Sequence, residues 1–190
     1  MKVESHTNLS DGILLRLSSG QLQIKVCSAD ILRIVYTLAE EFSTNQSLMV
    51  VRQDFEHVDW NVVETPDAIR LTTNRLELLI DKQNTAFTFL NSDGRVLTKE
   101  PCGGGKTLVP IDVEKYIVDE STEISTEQSA DGIVSRTKNL KTIIDRKAYH
   151  AKLEFDWDDS EALYGLGSHE EGVMNLRGHH QYLYQHNMKA

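Results

Sequence analysis

Two cysteines, three prolines and no long apolar run are spread over 190 residues. Each scarcity excludes something. Cys27 and Cys102 stand far apart and match no metal-knuckle spacing, so neither a zinc module nor a disulfide scaffold is read. Two free thiols in a reducing compartment are expected. No stretch approaches the roughly 18 apolar residues of a membrane-spanning helix. The start, Met1 to His6, is polar and no apolar segment follows it, so a cytoplasmic protein without a membrane partner is expected. Positive charge is also short. Lys and Arg number 20 against 29 Asp and Glu, a net charge of −9. That balance argues against nucleic acid, which favours a basic face. It is read as solvation of the surface.

Length sets the next bound. The chain can bury a substantial core, but it is too short to hold a sandwich and also a (β/α)₈ barrel, which takes about 250 residues. No Pro-rich or charge-block linker divides it, and no fixed repeat points to a propeller. One domain over residues 1–190 is expected, with a flexible start over 1–11.

What is present is strand after strand. Gln21 to Val26 alternates with period two and puts Leu22, Ile24 and Val26 on one face. Ile31 to Thr37 is β-branched and aromatic, and the short Ser28-Ala29-Asp30 joins the two as a hairpin. Leu76 to Ile80 and Thr85 to Leu90 continue the theme. Asn91-Ser92-Asp93-Gly94 is a strong turn signal before the return strand Arg95 to Thr98. Val113 to Val118, Leu140 to Ile144 and Ala151 to Trp157 read as later strands. In the last, Leu153, Phe155 and Trp157 face one way. No segment reads as a helix. The fold class is all-β, a β-sandwich.

Several motifs fail on inspection. Cys102-Gly103-Gly104-Gly105-Lys106-Thr107 lacks the leading glycine of a phosphate loop, where Glu100 stands instead, and reads as a mobile loop. His169, His179, His180 and His186 do not have zinc-ligand spacing. No serine lies in a nucleophile elbow. Asp156, Asp158 and Asp159 are sequence neighbours on a turn, whereas a glycosidase holds two carboxyl groups across the scissile bond. No catalytic residue, metal ligand or cofactor site is therefore assigned.

The informative stretch is Ala162 to Gly178. Tyr164-Gly165-Leu166-Gly167 reads as a strand end where backbone passes close to something. Asn175-Leu176-Arg177-Gly178 combines a buried leucine, a guanidinium fork and a turn. Together they resemble the end of the amino-terminal domain of family 31 glycoside hydrolases, where a YGLGE or YGLGQ strand precedes NLRG. This chain has Ser168 at the Glu or Gln position. Gln185-His186-Asn187 is similar to the family's Q-x-N stretch. Upstream, Asp30-Ile31-Leu32-Arg33-Ile34 and the hairpin Phe87 to Leu97 resemble further family segments.

The resemblance implies a galactose-mutarotase-like sandwich packed on a catalytic (β/α)₈ barrel of the same polypeptide. The parent would be an α-glucosidase-like or α-xylosidase-like enzyme that hydrolyses oligosaccharides with retention. Its catalytic aspartates would lie in the barrel, leaving this chain inactive alone. Residues 165–190 would run toward the barrel and approach the substrate, with Arg177, Gln185 and Asn187 as the substrate-proximal candidates. Arg177 would pin His179 to His186 against the sandwich. The alternative is a free-standing carbohydrate-binding module, with Trp60, Trp157, Tyr182 and Tyr184 as stacking platforms, or an aldose-epimerase-like protein using His169 with Glu170 or Glu171.

Overall fold

Alternation of apolar and polar residues builds the first sheet. In β2 (Gly12–Leu17) and β3 (Gln21–Ser28), the residues Ile13, Leu15, Leu17, Leu22, Ile24 and Val26 turn to one face and are buried. Ile13 stands opposite Ile24 and Leu15 opposite Leu22, so the two apolar rows share that face. β4 (Ile31–Thr37) pairs with β3. The computed structural model describes residues 1–50, 52, 55, 57–130, 132–166 and 172–181.

The flexible start expected over 1–11 is instead a strand, β1 (Val3–Leu9), antiparallel to β2. Val3 is 4% exposed, and its amide donates to the Lys82 carbonyl at 2.8 Å. The polar residues 4–8 concealed it. An edge strand is held by backbone bonds, and its outward side chains meet water.

The second sheet is also a meander: β5 (Asn61–Glu64), β6 (Ala68–Thr72), β7 (Leu76–Asp81), β8 (Phe87–Asn91) and β9 (Val96–Lys99), in that spatial order. Its Ile69, Leu71, Leu78, Ile80 and Phe87 join the buried rows of the first sheet in one apolar cluster. The two faces thus form a sandwich, as the alternation requires. The turn after β8 follows the Asp-Gly signal. Gly94 has φ 78°, and the Asn91 side-chain oxygen accepts from the Asp93 and Arg95 amides.

The turn between β3 and β4 ties the sheets together. Thr73, beside β6, donates its hydroxyl to the Ala29 carbonyl, and Arg75 pairs with Asp30 at 3.3 Å. The hydroxyl of Ser28 donates to the Asp30 carboxylate at 2.7 Å, which holds that carboxyl below its usual range.

Beyond the sandwich runs a long ribbon. β10 (Lys106–Ile117) pairs with β13 (Lys141–Leu153), and between them β11 (Glu123–Ser129) pairs with β12 (Gly132–Lys138). Strands expected at 113–118, 140–144 and 151–157 are ends of these longer ones. β13 stops at Leu153, and Leu153, Phe155 and Trp157 are 62%, 44% and 43% exposed. The strand expected to run on to Trp157 thus ends four residues earlier. Charged Asp145, Arg146 and Lys147 concealed the continuity, because both faces of the ribbon meet solvent there.

By contact the chain divides into two compact units, Met1–Phe155 and Asp156–Ala190. The second holds no helix or strand among the described residues, and no described helix is long and apolar enough to cross a membrane.

The core sets a direct test. Leu78→Ala, at a fully buried site, is expected to cost about 2–5 kcal/mol. Val63→Ala, at an exposed strand position, is expected to stay within about 0.5 kcal/mol. Urea unfolding of both variants measures the difference; equal midpoints would contradict the assigned core.

Candidate functional site

The glycine segment proves to be a fixed element of the first unit. It joins β9 to β10 and brings Glu100 and Lys106 together, with Nζ 2.5 Å from Oε2. Their side chains are 1% and 7% exposed. Lys106 Nζ also donates to the Thr85 carbonyl at 2.7 Å and sits 3.5 Å from the centre of the Phe87 ring. The same Glu100 oxygen accepts from the Phe87 amide at 3.0 Å. Burial pulls the Lys106 ammonium below the ordinary lysine value, and Glu100 opposes that pull.

Glycine is required here by space. A Cβ on Gly105 would lie 2.4 Å from the Glu154 carbonyl oxygen and 2.8 Å from Glu100 Cγ. Gly104 adopts φ 88°, the left-handed region, with the Asn84 carbonyl close by. The mobile loop expected over 102–107 is thus a tightly seated turn.

Beside the pair lies a cavity of about 300 Å³. Ile34 and Tyr36 of β4, Phe87 and Phe89 of β8, and Leu108, Leu153 and Phe155 line it. The lining is almost wholly apolar, and Glu100 and Lys106 are engaged by each other. Such a site suits apolar contact; it offers a sugar few polar partners.

The second candidate region is the segment around Arg177, in the second unit. Nη1 lies 2.8, 2.6 and 2.8 Å from the carbonyls of Asp158, Asp159 and Glu161, and Nη2 lies 2.8 Å from Asp159 Oδ1. The guanidinium therefore gathers the preceding acidic turn, residues 158–161. That turn is closed by Asp158, whose carboxylate accepts from the amide and hydroxyl of Ser160 and is held below its usual range by them. Asn175 adds two more bonds, its side-chain oxygen accepting from the Leu163 and Arg177 amides. Leu176, 4% exposed, donates its amide to the Leu163 carbonyl.

Tyr164 to Leu166 is not the strand end expected. Gly165 has φ 106° and Leu166 φ 64°, and among the described residues nothing lies within 4 Å of a Cβ built on Gly165. The positive φ at 165 is one that glycine adopts at no steric cost.

Of the substrate-proximal candidates, only Arg177 falls among the described residues. Gln185 and Asn187 lie outside them, as do Ser168, His169, Glu170, Glu171 and residues 182–186 of the loop that Arg177 was expected to pin. Trp60 packs against the core cluster, and the Trp157 indole donates to the Glu161 carbonyl at 3.4 Å. Among the described residues no cluster of His, Cys, Asp and Glu is placed to hold a metal. Cys27 is buried and Cys102 exposed, both as free thiols. The buried Glu100–Lys106 pair was missed by sequence reasoning. Its one signal was a carboxylate and an ammonium flanking a run of glycines, and a pairing across a loop leaves no periodic trace.

An all-β sandwich of two meanders and a ribbon defines the class. Residues 21–189 match the Glycosyl hydrolase 31 N-terminal galactose mutarotase-like domain, and the chain belongs to that family. The fold recurs in solved enzymes. A family 31 α-xylosidase from Xanthomonas citri aligns with 90% of this chain at 22% identity and TM-score 0.64. An α-xylosidase from a soil metagenome, complexed with xylose, aligns with 93% at 17% identity and TM-score 0.57. A Flavobacterium johnsoniae dextranase, complexed with glucose, aligns with 66% at 14% identity and TM-score 0.51. The chain spans 16%, 24% and 16% of those three proteins' lengths.

Two tests follow from these contacts. Glu100→Ala leaves a buried ammonium without its carboxylate and is expected to cost about 3–5 kcal/mol. Glu100→Leu combined with Lys106→Met should recover most of that loss, read by thermal melting. A double variant as unstable as the single would contradict the pairing. Arg177→Lys keeps the charge but loses the fork. Amide exchange within 158–161 is expected to quicken severalfold while the melting of residues 1–155 stays put; unchanged exchange would mean the guanidinium does not hold that turn.

Proposed function

We propose that this chain is the non-catalytic sandwich of a retaining α-glycosidase, seated against a (β/α)₈ barrel of the same polypeptide. The family match over residues 21–189 carries this reading. Its support is the chain's share of the solved neighbours, between 16% and 24%, which leaves most of such a polypeptide to other domains. The parent's substrate would be an α-linked oligosaccharide, with the neighbours pointing to xylosides or glucans. Residues 165–190 would extend toward the barrel, with Arg177 firming the base of that segment by holding residues 158–161. Gln185 and Asn187 would lie nearer the sugar. Free Cys27 and Cys102 fit a reducing, cytoplasmic setting.

Among the described residues, the acid and base that line the apolar cavity, Glu100 and Lys106, are engaged by each other, which suits a supporting role. The test compares the chain alone with the longest polypeptide that carries it. The chain alone is expected to hydrolyse neither aryl α-xylosides nor aryl α-glucosides. The longer polypeptide should cleave one of them and release the α-anomer first, as NMR of the nascent sugar would reveal. Turnover by the repurified chain, or a β-anomer released first, would overturn this reading. Acceleration of anomer interconversion by the chain alone would favour an epimerase instead.

A further inference from the structure

The β11–β12 hairpin has two unlike faces. Register places Ile124 opposite Thr137, Thr126 opposite Ser135 and Gln128 opposite Ile133, so these six side chains share one face. None of them is charged. The other face carries Glu123, Glu127, Arg136 and Lys138, with Arg136 Nε 3.1 Å from Glu127. Every residue of β11 is exposed, and so is every residue of β12 after Gly132. Ile124 is 62% exposed and Ile133 74%. A two-stranded hairpin with no sheet or helix behind it is marginal in water. Something must cover one face if the hairpin is to be ordered.

We infer that the uncharged face of β11–β12 is a docking surface for the adjoining domain of the same polypeptide. This rests on the reading of the chain as one part of a longer glycosidase. The solved neighbours are four to six times the chain's span, since it covers 24% and 16% of them. A tethered domain acts at high effective concentration, so it outcompetes a second copy for an adhesive face. The chemistry fits a permanent contact. Interface cores are depleted in charge, and this face has none, while the charges gather on the face left to water. Its hydroxyls and amide suit a partner presenting backbone polar groups beside aliphatic side chains.

The experiment is amide hydrogen exchange over residues 123–138, run on the 190-residue chain and on the longest polypeptide that carries it. Exchange in the longer polypeptide should slow at least about tenfold at the hydrogen-bonded amides. Ile133→Lys, on the uncharged face, should abolish that slowing and lower the longer polypeptide's melting temperature by several degrees. Because Ile133 is exposed in the chain itself, the same substitution should leave the chain's melting unchanged. Val134→Lys, on the charged face, should do neither. Equal exchange in both proteins would overturn the inference. So would slowing in the chain alone that depends on concentration and tracks a dimer mass in light scattering, because the occupant would then be a second copy. Hydrolysis of aryl α-glycosides is scored separately. A covered hairpin on an inactive polypeptide would sink the functional reading and leave the docking face standing; an exposed hairpin on an active enzyme would do the reverse.

Discussion

Two sheets must hide their aliphatic rows from water, and each can do so only against the other. Ile13, Leu15, Leu22 and Ile24 on one side and Ile69, Leu71, Leu78 and Ile80 on the other are wholly buried. Burying a single such side chain contributes about 1.5–3 kcal/mol, so these rows dominate what opposes chain entropy. The local details serve that contact. The Thr73 and Arg75 bonds to the β3–β4 turn, and the Val3 amide on Lys82, tie one sheet to the other at their margins.

The ribbon follows different physics. β10 enters from the seated glycine turn, where the Glu100–Lys106 pair is hidden beside Phe87. A buried ion pair is weak evidence for stability, since desolvation opposes attraction. Its value here is positional: it fixes where β10 leaves the second sheet and so where the ribbon begins. Past that point burial falls away, and side chains such as Tyr116, Ile124, Ile133 and Ile144 lie open. Of those open side chains, Ile124 and Ile133 are what the proposed docking face draws on.

The Arg177 segment uses local bonds in place of a core. One guanidinium meets three carbonyls and a carboxylate, and one asparagine side chain accepts from two amides. Such a cluster can hold a loop in shape without regular structure. In the proposed enzyme, that shape would set how the chain leaves the turn at Gly178.

The sequence by itself determined the all-β class, the β3–β4 hairpin and the β8–β9 turn, because period-two alternation and Asp-Gly chemistry are local signals. It also carried the family, through residues clustered between Tyr164 and Gly178. It did not yield β1, whose polar side chains mask a backbone-held edge strand, nor the length of β10 and β13, whose solvated faces break alternation. Only the tertiary structure decided that Glu100 meets Lys106, that Gly105 is required by the Glu154 carbonyl, and that Arg177 reaches back to 158–161. Each of these joins residues through space at separations that no period records. Their partners are set by where the two packed sheets and the turn of 158–161 bring the backbone.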